Sequence, residues 1–136
     1  MGRVKFQIFS FPKQTMKYDE ISLQIKQIND EPGPADGFRV LVDRHWPSGL
    51  AKDDPSVNLW LGDVAPSPAL RKWFNGDAAR WDEFLDHYFA ELDENPQVVT
   101  ELFQKTTSGK ITLLYTGKDA KFNQAVALKM YLEGDD

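Results

Sequence analysis

RVLVDRHWPSG, Arg39 to Gly49, sets a strand, a charged junction and a turn side by side within eleven residues. With the preceding Phe38, the apolar run Val40, Leu41 and Val42 reads as a short buried strand. Asp43, Arg44 and His45 then fall where that strand ends, and Trp46-Pro47-Ser48-Gly49 follows as a turn. Parallel sheets gather their functional groups at the carboxyl ends of their strands, so this junction is the natural place to look for a site.

The chain around it has 136 residues, 41% of them hydrophobic, which suits one domain able to bury roughly two-thirds of its unfolded surface. It contains no cysteine, which excludes disulfides, thiolate nucleophiles and cysteine-bound zinc, and suits a reducing cytoplasm. No apolar run approaches the ~18 residues of a membrane span, and the start lacks the pattern of a secretory signal, so a cytoplasmic protein without membrane contact is expected. Sixteen basic residues against 21 acidic ones give a formal charge of -5, which disfavours nucleic acid as a partner while leaving room for a local basic pocket.

Val4, Phe6 and Ile8 alternate within Arg3 to Phe11, pointing to an N-terminal strand, either an extra edge strand or an arm through which a homodimer would form. Residues 1–15 are set apart as this extension and 16–136 as a single domain. Ile21, Leu23, Ile25 and Ile28 form a second extended segment that ends in the turn-rich Asn29 to Pro34. After the loop from Ala51 to Asn58, Ser67 and Pro68 read as the cap and first residue of a short helix stopped by Asn75-Gly76. Asp77 caps a longer helix with Trp81, Phe84, Leu85, Tyr88 and Leu92 on one face, and Pro96 starts another that ends at Ser108-Gly109. Ile111 to Tyr115 is a continuous apolar strand, and Asp119 is placed to cap a final helix that closes at Gly134. The order of elements predicts an α/β domain with a short, mostly parallel sheet flanked by helices.

If the strands ending at Asp43 and Tyr115 are parallel, their loops share one edge. That brings Arg44, His45, Trp46, Ser48 and Gly49 toward Thr116, Gly117, Lys118 and Asn123 as a ligand-binding set, with Asp43 and Asp119 as the candidate catalytic carboxylates. A positive side chain beside the free amides of a helix start suits an anion, and a carboxylate there can act as a base if burial shifts its pKa. Plainer readings stand beside each of these. Asp43 and Arg44 can simply fix the turn through backbone groups, Asp119 can be only a cap, and Lys118 only a solvated charge. His45 has no second histidine at ligand spacing and reads as structural, so no metal site is expected. Thr116-Gly117-Lys118 is too short for a Walker loop, and the four tryptophans read as packing residues.

Four blocks, RVLVDRHWPSG, APSPALRKWF, ARWDEFLDHYFAEL and ITLLYTGKDAKFNQAVALKMYL, together resemble the YeaO-like group of small bacterial and archaeal proteins known as domain of unknown function 488. The resemblance runs from about Ile21 to Leu132 and implies a compact α/β domain with no established activity. The matching positions are Asp43, Arg44, Trp46, Pro47, Gly49, Arg71, Trp73, Phe74, Trp81, Asp119 and Asn123. Where the family pattern has an apolar residue and an arginine, this chain has His45 and Ser48, and where the family commonly has a histidine before the asparagine it has Phe122. Those departures remove an arginine and a histidine from any shared pocket. The expectation is a domain that binds an anionic small molecule, a nucleotide or phosphorylated metabolite, at the carboxyl edge of the sheet. The alternative is a non-catalytic module for a protein or nucleic-acid partner. Neither reading names a cofactor.

Overall fold

In the computed structural model, which describes residues 21–106 and 109–134, the alternating segment after Ile21 forms β1 (Ser22–Gln27) and the organising run forms β2 (Phe38–Leu41). β3 (Leu59–Trp60), α1 (Pro68–Phe74), α2 (Trp81–Glu94), α3 (Pro96–Lys105), β4 (Lys110–Tyr115) and α4 (Gln124–Glu133) follow, with 3-10 turns at Gly62–Val64 and Ala78–Arg80. The expected N-terminal strand, and the dimer surface attached to it, lie outside the described residues. No helix among the described residues is long and apolar enough to cross a membrane.

The four strands pair in the order β1-β4-β2-β3, all parallel. β4 is therefore central, with Ile111 opposite Leu23 on one side and Phe38 on the other. Because side chains alternate along a strand, the two faces have different covers. Leu23, Val40, Ile111 and Leu113 join one core with Phe84, Tyr88, Leu102, Phe103 and Leu128 from the helices. Leu41 and Leu114 belong instead to a small cluster with Ile28, covered by Trp46, Leu50 and Val57 from loops. The helices thus gather on one face, and connecting segments shield the other.

Local chemistry sets the element ends as the sequence implies in most places. The Ser67 hydroxyl accepts from the Leu70 amide at 3.2 Å, and Asn75 ends α1 in the left-handed region at φ 49°. Asp77 caps the 3-10 turn that leads into α2 rather than α2 itself. The last helix also begins later than expected. The Asp119 carboxylate accepts from the amides of Lys121 and Phe122 and closes a turn of its own. Asn123 caps α4, its Oδ1 accepting from Val126 at 3.0 Å while its Nδ2 donates to the Asp119 carbonyl at 2.7 Å. An Asx turn at Asp119 and a cap at Asn123 satisfy more amides than one long helix from Asp119 would.

The loop-covered face carries a polar network. Asp36, 3% exposed, forms ion pairs with Lys26 at 2.8 Å and with Arg39, and accepts from the Gly33 amide. Arg39 also donates from Nε to the Ser56 carbonyl at 2.6 Å. Thr112, at the middle of β4, accepts from Gln24 and donates to the Asp36 carbonyl, both at 2.7 Å. This network fastens the β1–β2 connection down across β4.

Burial pushes the Asp36 carboxyl upward, but Lys26, the Gly33 amide and Arg39 outweigh it and bring its pKa down to about 2. Since the folded-state value lies below the ordinary 3.8, its stabilisation is complete above about pH 4 and is lost as pH falls toward 2. Asp36→Asn should lose ~2 kcal/mol of stability at neutral pH, with a flatter acid limb between pH 4 and 2 when urea midpoints are followed against pH. Gly37 supplies a second test. It has φ 65°, and a Cβ there would fall on the backbone carbonyl of Lys110. Gly37→Ala should destabilise by about 2–3 kcal/mol, seen as a lower denaturant midpoint with an unchanged slope.

Candidate functional site

The ends of β2 and β4 do lie side by side, with Leu41 opposite Leu114, and the Val42 amide extends the ladder to the Leu114 carbonyl at 3.1 Å. Asp43 follows at once and is buried between the two strand ends and α4. One carboxylate oxygen accepts from the Thr116 hydroxyl and the other from the Gln124 side-chain amide. Burial raises its pKa, opposed by the bonds from Thr116 and by the positive charge of Arg71. Asp43 therefore ties β2, the β4–α4 turn and the start of α4 together, and both its oxygens are engaged.

Beside this tie lies a cavity of about 550 Å³, bounded by α1, the Asn75-Gly76 stop and the β4–α4 turn. Gly117, Lys118, Asp119 and Asn123 line it, so four of the residues singled out from sequence meet there. The other expected members do not line it. Arg44 turns away, donating to the carbonyls of Ala65 at 3.0 Å and Pro66 at 3.2 Å, and borders a separate hollow of about 250 Å³ with Glu91 and Tyr88. Ser48, Gly49 and Thr116 border a third, of about 420 Å³, with Ile28 and Asn29. His45 is exposed, and Trp46 is half-buried, donating to the Leu50 carbonyl at 2.9 Å and meeting Trp60 edge-on at 5.6 Å.

Two of the three positive charges at the cavity come from residues the strand-end argument did not select. Arg71 and Lys72 project from α1 and line it together with Lys118. The side chains of all three make no hydrogen bond or ion pair with a described residue, and Arg71 and Lys72 are exposed. Among the described residues, three cations thus face one lining carboxylate, Asp119, in a chain whose formal charge is -5. Asp119 stays readily ionised because the Lys121 and Phe122 amides lower its pKa. For Arg71 and Lys72 the local signal is their place in the last turn of a short helix begun by Ser67-Pro68, which by itself reads as a favourable charge at a helix end, and Arg71 also stands among the positions that match the family.

Residues 22–135 match the family model described as the inactive DUF488-N3 subclade. The chain belongs to this family. It is 35% identical over 112 residues to the uncharacterized protein YeaO of Escherichia coli strain K12, covering 82% of this chain and 97% of that protein. It is 36% identical over 115 residues to the uncharacterized protein Rv3073c of Mycobacterium tuberculosis strain H37Rv, and equally to Mb3100c of Mycobacterium bovis, with 85% of this chain and 97% of each relative covered. No solved structure matches the chain. The YeaO-like DUF488 assignment made from the four sequence blocks therefore holds.

Within this family member, the Asp43 tie can be tested directly. Asp43→Ala leaves the Thr116 hydroxyl and the Gln124 amide without their buried acceptor and should destabilise by about 2–3 kcal/mol. Asp43→Asn keeps one acceptor oxygen and should cost less. Urea denaturation of the two variants gives the comparison, and equal losses would mean that the hydrogen bonds contribute little beyond side-chain volume.

Proposed function

We propose that this protein is a non-catalytic domain that binds an anionic small molecule, of the phosphate-bearing kind, in the cavity between α1 and the β4–α4 turn. The observation that carries the reading is the gathering of Arg71, Lys72 and Lys118 around one hollow of about 550 Å³, with no carboxylate of a described residue ion-paired to any of them. A hollow of that size falls within the ~300–1,000 Å³ typical of small-molecule sites. The start of α4 lies on the same rim through Asn123 and Gln124, and its positive dipole end adds to the attraction for an anion.

Several observations favour capture over chemistry. Asp43, the best-placed carboxylate for a general base, has both oxygens occupied by Thr116 and Gln124. Asp119 is held ionised by its own turn. The family description, an inactive subclade, agrees with that reading. A second reading, a surface for a protein partner, draws on Trp60, which is 41% exposed on β3, the outermost strand among the described residues.

A thermal-shift series with inorganic phosphate, pyrophosphate and sugar phosphates tests the site. Wild-type protein and Arg44→Ala should both gain roughly 2–8 °C at saturating ligand, less at high salt. The double variant Arg71→Ala/Lys118→Ala should gain nothing. No shift with any of these anions, or a shift that survives in the double variant, sinks the proposal.

A further inference from the structure

The cations account for only one part of the cavity wall. Phe74, Phe84 and Phe122 also line it, with Pro66 and Pro68 completing the apolar lining. These rings belong to a continuous ladder. Phe74 stacks on Phe84 at 4.4 Å, Phe84 on Trp81 at 5.5 Å, and Trp81 meets the Phe122 ring edge-on at 5.3 Å. Phe122 is the half-buried end of the ladder and stands in the β4–α4 turn, held there by the hydrogen bond its backbone amide donates to the Asp119 carboxylate. A phenyl ring fixed from behind and partly open in front is a stacking platform.

The polar groups of the cavity narrow the ligand further. Asn123 is committed at both ends of its side chain, to the Val126 amide and the Asp119 carbonyl. Gln124 gives its amide group to Asp43. Asn75 is the lining amide whose side chain makes no hydrogen bond with a described residue. A bare sugar phosphate would bring many hydroxyls to a wall with few free partners and leave the phenyl rings uncovered. A flat heteroaromatic ring needs few edge contacts and gains by covering Phe122, because every such ring has a π face to stack.

We infer that the ligand of this cavity is a nucleoside monophosphate, its base laid on Phe122 and its phosphate drawn to the cations of the rim, Arg71, Lys72 and Lys118. This rests on the anion-binding reading and adds the class of molecule. Among the described lining residues one group is repulsive, the Asp119 carboxylate, whose Oδ1 is engaged by the two turn amides. Trp81 touches both Phe122 and Phe74, so its emission should report occupancy.

Calorimetric titration of the full chain with AMP and with ribose 5-phosphate separates the two levels of the argument. AMP should bind on the order of tenfold or more tighter than ribose 5-phosphate, the size expected for one base–aromatic stack. Phe122→Leu, which keeps an apolar side chain against Trp81, should abolish that ratio and leave ribose 5-phosphate affinity unchanged, while Phe122→Tyr should retain it. Equal affinities for the two compounds in wild-type protein, or a ratio that survives in Phe122→Leu, overturn the nucleotide inference while leaving the anion site standing. Absence of binding by both compounds overturns the anion site and the nucleotide inference together.

Discussion

The sheet depends on β4 occupying its centre. β1 and β2 each bond to β4 and not to each other, so the two earlier strands have no common edge until residues 110–115 arrive between them. Every strand pairing of β1 and β4 spans most of the chain, as in Leu23 with Ile111. Such long-range pairing pays its loop-closure entropy before any contact rewards it, which places the fold among the slower small domains. The Asp36 network matters in this light. It anchors the segment that must leap from β1 to β2 over the strand between them, through Thr112 of β4 itself.

The same centre sets the edge on which the proposed site lies. Because β4 is flanked by parallel neighbours, the β4–α4 turn emerges beside the end of β2, and Asp43 can hold Thr116 and Gln124 at once. That tie fixes the start of α4 and, through the Asn123 cap, the course of residues 117–122. α1 then lies across from this turn, and the hollow between them is bounded by two fixed walls. Cations from α1 and the β4–α4 turn share this lining with aromatic rings from α1, α2 and the same turn.

Much of the architecture is legible in residue patterns. The alternation through Leu23 and Ile25, the apolar run ITLLY, and the Ser67-Pro68 helix start all lead to elements close to those observed. Strand order is not legible, since nothing local in β1 or β2 says that a segment some 70 residues later will part them. Arg39 illustrates a second limit. An arginine inside a short strand reads as solvent-facing, yet it is 4% exposed because Asp36, from a loop rich in turn residues, supplies its counter-charge. Arg44 shows the opposite. It stood where a ligand anchor was expected, but the chain after β3 brings two free carbonyls, at Ala65 and Pro66, within its reach. Arg71 and Lys72 take the cavity because α1 is laid along it, which is a tertiary fact.

The unequal covering of the two faces has its own consequence. On one side four helices bury large side chains such as Phe84, Phe103 and Leu128 against the strands. On the other, among the described residues, shelter comes from segments without regular structure, over a cluster of Ile28, Leu41 and Leu114 at its heart. A partial opening that lifts those segments forfeits far less apolar contact than one that detaches a helix, so the native ensemble breathes asymmetrically. Amide protons in the β1–β2 and β2–β3 connections then exchange through this smaller fluctuation, while those of β4 wait for the whole molecule to unfold.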